Sequence, residues 1–128
     1  MSTEGWKKVF LSGAFFNWIF AAFITVAPGF AFDILDLGAL PENPIWLALF
    51  VWLVVVFGYG YYRVSKNPVA HRDIAILGTM GKLGVFAIIA GCWFIGLAST
   101  IFLIVVGGDL VYSLLFIWFL QTAPKEAG

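Results

Sequence analysis

Charge is scarce in this chain: 11% of its 128 residues carry it, where a soluble domain needs roughly a quarter to dress its surface. With 62% of positions hydrophobic, lipid must solvate much of the exterior. Seven Lys and Arg against seven Asp and Glu give a formal net charge of zero, without the basic face that a nucleic-acid partner calls for. Cysteine is nearly absent. Cys92 stands alone, so an intramolecular disulfide and the thiol–disulfide chemistry built on one are excluded. It reads as a small apolar residue against a neighbouring helix. The single histidine, His71, has no companion nitrogen or sulfur ligands, so no metal, haem or other cofactor is expected. Nucleophile–base pairs, phosphate-cradling glycine loops and helical zinc motifs are missing too. Outside its apolar runs the chain has no stretch long enough for a soluble domain, so residues 1–128 read as one membrane-embedded domain.

The apolar runs number four, each near the ~20 residues needed to cross the hydrocarbon. They cover about 9–26, 45–62, 74–97 and 101–120. Pro28-Gly29 stops the first run, and Pro41-Glu42-Asn43-Pro44 breaks the chain ahead of the second. Asp73 is the expected N-cap of the third. Ser99-Thr100 makes a tight return into the fourth, which Gln121 and Pro124 end. Lys7 and Lys8 before the first run resemble the start of a signal peptide, but the run is long for one, and an uncut helix is the expectation. The fold class is an all-α integral membrane protein, a bundle of four transmembrane helices.

Basic residues set the direction. Lys7 and Lys8 precede the first span, Arg63, Lys66 and Arg72 fill the connection after the second, and Lys125 follows the fourth. The first connection holds Asp33, Asp36 and Glu42 with no Lys or Arg. The positive-inside rule then puts both termini and the central loop in the cytoplasm (N-in/C-in), in the bacterial cytoplasmic (inner) membrane. In the first connection, Phe30, Phe32, Ile34, Leu35 and Leu37 alternate loosely with Asp33 and Asp36. That pattern fits either a short amphipathic segment at the interface or an apolar loop resting on the helix ends.

Two charges break the apolar runs. Lys82 lies in the third span and Asp109 in the fourth, where an unpaired charge costs at least ~2.5–3.5 kcal/mol on insertion scales. At a rise of ~1.5 Å per residue, Asn17 and Lys82 sit ~12 Å and Asp109 ~16 Å from the same membrane face. Lys82 could in part snorkel toward the headgroups, but a carboxylate as short as that of Asp109 could not. The two are expected to pair, directly or through one water, as helix glue or as a working site. Thr79 shares the Lys82 face, and Tyr112 and Ser113 share the Asp109 face. Asn17 fits an interhelical hydrogen bonder. Tyr59, Tyr61 and Tyr62 fit the interfacial aromatic belt, with Tyr59 deep enough for its hydroxyl to reach the Lys82 layer. Gly78, Gly81, Gly84, Gly91, Gly107 and Gly108 permit close helix approach, and the glycines beside Asp109 could instead leave room for a ligand.

Asn17, Gly58-Tyr59-Gly60-Tyr61-Tyr62, Asn67-Pro68-Val69-Ala70-His71-Arg72, Gly81-Lys82 and Gly108-Asp109 together give the chain a familiar outline. It resembles small bacterial four-helix membrane proteins of a loosely DoxX-like kind. That resemblance implies the fold and the topology. DoxX-type proteins are associated with redox and sulfur metabolism through partner proteins, and a chain with no cofactor set of its own would need such a partner.

Three functions follow. The first is a non-enzymatic module or accessory subunit, packed in a homo-oligomer or a larger membrane complex, which suits the aromatic content of 19% and the glycine faces. The second is a carrier or binder of a small anionic or amphipathic ligand, held by Lys82 and Asp109. No inverted repeat is visible to support a transporter. The third is an enzyme acting on a lipid or quinone, with Asp109 or Lys82 as acid or base.

Overall fold

The computed structural model describes residues 1–123. The Pro124 stop and the Lys125 charge invoked above lie outside the described residues. Those described form an all-helical bundle: α1 (Thr3–Val26), α2 (Pro28–Leu35), α3 (Ile45–Lys66), α4 (Arg72–Phe94) and α5 (Thr100–Thr122). All but α2 are long and apolar enough to cross a membrane.

Local chemistry places the boundaries. Ser2 Oγ accepts from the Gly5 amide at 3.1 Å, which starts α1 well before the first apolar run. Polar residues flanking a run can extend a helix beyond its hydrophobic stretch, and α3 likewise continues past Tyr62 to Lys66. Pro28 opens α2, where the missing amide proton costs nothing. The first connection therefore contains a helix with Ala31, Phe32 and Leu35 buried and Phe30 and Ile34 exposed.

Two expected boundaries of α4 differ. Asp73 lies in the first turn, and His71 occupies the cap position without a side-chain cap bond. The helix ends at Phe94, short of Leu97. Gly96 adopts φ 84°, and its amide donates to Trp93 O at 3.1 Å while that of Leu97 donates to Cys92 O at 2.7 Å. This is a Schellman stop, in which a left-handed glycine lets the chain cap its last carbonyls. Ser99 then caps α5 by accepting from the Phe102 amide at 3.0 Å. Its hydroxyl donates to Leu35 O at 2.6 Å, fastening the end of α2 to the α4–α5 turn.

The long helices pack as two pairs, α1 with α3 and α4 with α5. The pairs close on each other at the end carrying the N-terminus and the α3–α4 turn. There Trp6, Phe10, Ala14, Tyr61, Val64, Ala75, Phe116 and Phe119 form the buried core. Phe10 stacks on Phe116 at 4.5 Å, and Trp6 meets Phe119 edge-on at 5.4 Å. Arg72 donates to the Leu120 carbonyl and lies over the Phe119 ring, tying α4 to the end of α5. Close approach of α3 and α4 here depends on Gly78, because a Cβ at that position would strike the Tyr61 ring. Away from this end the two pairs leave a cavity between them.

Candidate functional site: a buried ion pair at the end of an apolar cavity

Lys82 is 4% exposed, and its ammonium donates to Asp109 Oδ1 at 2.7 Å and to Asn17 Oδ1 at 3.2 Å. Three long helices thus meet in one polar layer, as the common depth of these residues predicts. Asn17 is held in turn by Nδ2, which donates to the Val54 carbonyl of α3 at 3.0 Å. The neighbouring Trp18 donates through Nε1 to Val55 O at 3.2 Å. These two bonds fix α1 against α3 and aim the Asn17 oxygen at Lys82.

Aromatic rings complete the enclosure of the ammonium. Phe16, Tyr61 and Tyr112 present ring centres at 5.1, 5.3 and 5.5 Å from Nζ. Each ring face attracts a cation, and more strongly where water is excluded. The snorkelling alternative fails here: Lys82 stays inside the bundle because a carboxylate, an amide and three rings replace its water.

Other expected members take different places. Tyr59 is 52% exposed, and its hydroxyl accepts from Arg63 at 3.4 Å, so it does not reach the Lys82 layer. It lies about 200° around the helix from the buried Tyr61, on the outward face. Tyr61, placed by sequence in the interfacial belt, is the tyrosine that reaches Lys82, at 1% exposure. Its signal was Gly78, one turn before Lys82, which makes room for the ring. Tyr112 contributes its ring, while its hydroxyl donates to Ser12 Oγ at 2.9 Å. Thr79 and Ser113 are buried but turn back on their own helices, donating to Ala75 O and Leu110 O. They satisfy themselves locally and contribute no hydrogen bond to the pair.

Next to the pair lies a cavity of about 410 Å³, within the ~300–1,000 Å³ usual for small-molecule sites. Asn17, Lys82 and Asp109 are its polar residues, and hydrophobic side chains such as Phe20, Val54, Phe102 and Val106, with Gly81, form the rest. Lining residues that are also exposed, Phe50, Leu53, Gly81, Val85 and Ile88, all belong to α3 and α4. The cavity therefore opens sideways, between these two helices. Its α1–α5 side is closed at the level of the pair by Phe16, which lies over Gly108 and against Tyr112. Of the glycines read as packing faces, Gly78 and Gly108 meet rings, whereas Gly84, Gly91 and Gly107 face open space.

No group of His, Cys, Asp and Glu able to hold a metal occurs among the described residues. Comparison with known proteins gives no match, whether to a family model, a curated protein or a solved structure.

Proposed function

We propose that this protein is a binding protein for a small amphipathic ligand, embedded in the bacterial cytoplasmic membrane with both termini inside. One observation carries the reading: an apolar cavity of about 410 Å³ ends on a buried Lys82–Asp109 pair. A dry, filled bundle would have made the pair helix glue alone. Burying two charges beside open space instead gives an amphiphile walls for its chain and partners for its head. Orientation rests on the basic residues Lys7, Lys8, Arg63, Lys66 and Arg72, all at the end opposite Asp33, Asp36 and Glu42.

Native mass spectrometry of protein extracted from its own membrane tests the reading. The wild type should retain a small molecule that Asp109→Asn, folded and expressed to a similar level, has lost. Equal retention by the two, or none by the wild type, would reject it.

A second reading, the accessory module in a homo-oligomer or larger complex, draws on α3. Trp46 and Trp52 on this helix stand 75% and 62% exposed, and large aromatic side chains suit an interface with another helix. Chemical cross-linking in intact membranes, giving a discrete dimer or trimer, would favour it. The resemblance to DoxX-type proteins, if it reflects kinship, would add a redox role exercised only through a partner.

A further inference from the structure

We propose that the cavity takes an uncharged single-chain amphiphile whose head donates a hydrogen bond, an alcohol in the simplest case, and that it enters sideways from the bilayer between α3 and α4. This deepens the binding reading above and rests on it.

The head is specified by which group of the pair remains within reach. Lys82 is spent: Asp109 and Asn17 accept from it, three rings surround it, and its side chain is 5% accessible. Asp109 is the more open partner at 17%. Lys82 occupies its Oδ1, and Oδ2 has no protein donor among the described residues. The cavity therefore offers its occupant an acceptor. Charge narrows the choice further. Lys82 and Asp109 cancel, so an anionic head would add an unbalanced charge deep in the bundle next to a carboxylate, and a cationic one would compete with Lys82. A neutral donor satisfies Oδ2 and disturbs nothing.

The route is specified by exposure. Phe50 and Leu53 on α3 and Val85 and Ile88 on α4 line the cavity and are 44%, 57%, 36% and 66% exposed. An opening rimmed by such residues faces hydrocarbon in a membrane, which supplies an alkyl chain without passage through water. The cavity runs from Asp109 to Phe102, seven residues along α5 or ~10 Å, long enough for an alkyl chain to lie beside the helix.

Dodecanol, dodecanoate and dodecane carrying a terminal photoreactive diazirine, at equal mole fraction in lipid nanodiscs, test the proposal. Labelling of the wild type should be at least about tenfold more efficient with dodecanol, the scale of one hydrogen bond to a charged group. Labels should map to α3, α4 and α5 around Phe50, Ile88 and Phe102. Gly81→Leu should abolish labelling, because a side chain there grows into the cavity and a Cβ meets only Phe57, at 3.9 Å. Val85→Trp, obstructing the opening, gives the same expectation should Gly81→Leu not fold. Gly84→Leu, facing open space outside the cavity, should label like the wild type. Preference for dodecanoate, still lost in Gly81→Leu, would overturn the neutral-donor head and leave the binding reading standing, whereas equal labelling by dodecane would overturn both, since no head would then be recognised. Labelling that no cavity variant reduces, or no specific labelling, would overturn both.

Discussion

Asn17 Oδ1 accepts from Lys82 Nζ at 3.2 Å, and this bond joins the α1–α3 pair to the α4–α5 pair in the middle of the bundle. Asn17 is held to α3 by its own amide nitrogen, so it acts as a bracket with one arm on each pair. Asn17→Leu keeps the volume and removes both arms. Interhelical hydrogen bonds in membrane bundles average ~0.6 and reach ~1.7 kcal/mol. A loss of about 1 kcal/mol is therefore expected, read as an earlier midpoint in detergent-induced unfolding. An unchanged midpoint would mean that Asn17 bridges nothing of consequence.

The Lys82–Asp109 pair should behave as a coupled unit. Lys82→Met leaves a carboxylate among apolar side chains, and Asp109→Leu leaves an ammonium with one amide and three rings. Stranding one member of a buried pair costs up to ~3–5 kcal/mol, reduced here because Asp109 retains 17% access. The double variant should recover part of the loss. Strictly additive losses in the unfolding cycle would show that the two residues stabilise the bundle independently.

Two glycines on α4 should respond unequally to the same change. At Gly78 a Cβ would collide with the Tyr61 ring, which is itself packed at 5.2 Å from Phe116 and cannot retreat. Overpacking of this kind costs ~1–3 kcal/mol, and Gly78→Ala should lose that much. At Gly84 a Cβ meets nothing within 4 Å, so Gly84→Ala should stay within about 0.5 kcal/mol of the wild type. Thermal unfolding of the two variants side by side provides the comparison, and equal effects would contradict the packing described for α3 and α4.

Much of this arrangement was legible because a charge in an apolar run has few places to go. Lys82, Asp109 and Asn17 fall at similar depths by helix rise alone, and the depth put them in one layer. Depth says nothing of azimuth. Tyr59 and Tyr61 are separated by two residues, about 200° around a helix, so only one of them can face the bundle. The sequence offered no direct reason to choose Tyr61, though Gly78 opposite it was a usable sign. Thr79 and Ser113 share the right faces, but a hydroxyl in a helix can bond the carbonyl three or four residues back, and both do. The cavity was legible only as an alternative, read from the glycines beside Asp109, whereas it is Gly81 that lines it. It arises from how two helix pairs meet at one end, a property of packing rather than of any residue pattern.

Topology gives the last prediction. Lys7, Lys8, Arg63, Lys66 and Arg72 cluster at one end of the bundle by fold as well as by sequence, since the N-terminal half of α1 packs on the last turns of α3. Reversing the protein would carry five basic residues across the membrane and bring in only Asp33, Asp36 and Glu42, which contribute little to orientation. The end with Lys7 and Arg72 should therefore face the cytoplasm. Leu40→Cys and Asn67→Cys place reporters at opposite ends, both on exposed positions outside the helices. In a Cys92→Ser background, so that no other thiol responds, a membrane-impermeant maleimide added to intact cells should label the reporter at position 40 and not the one at 67. In inverted vesicles the pattern should reverse. Labelling of position 67 in intact cells would mean that both termini lie outside, and the cavity, with its opening between α3 and α4, would then extend from the ion pair toward the cytoplasmic leaflet instead of the outer one.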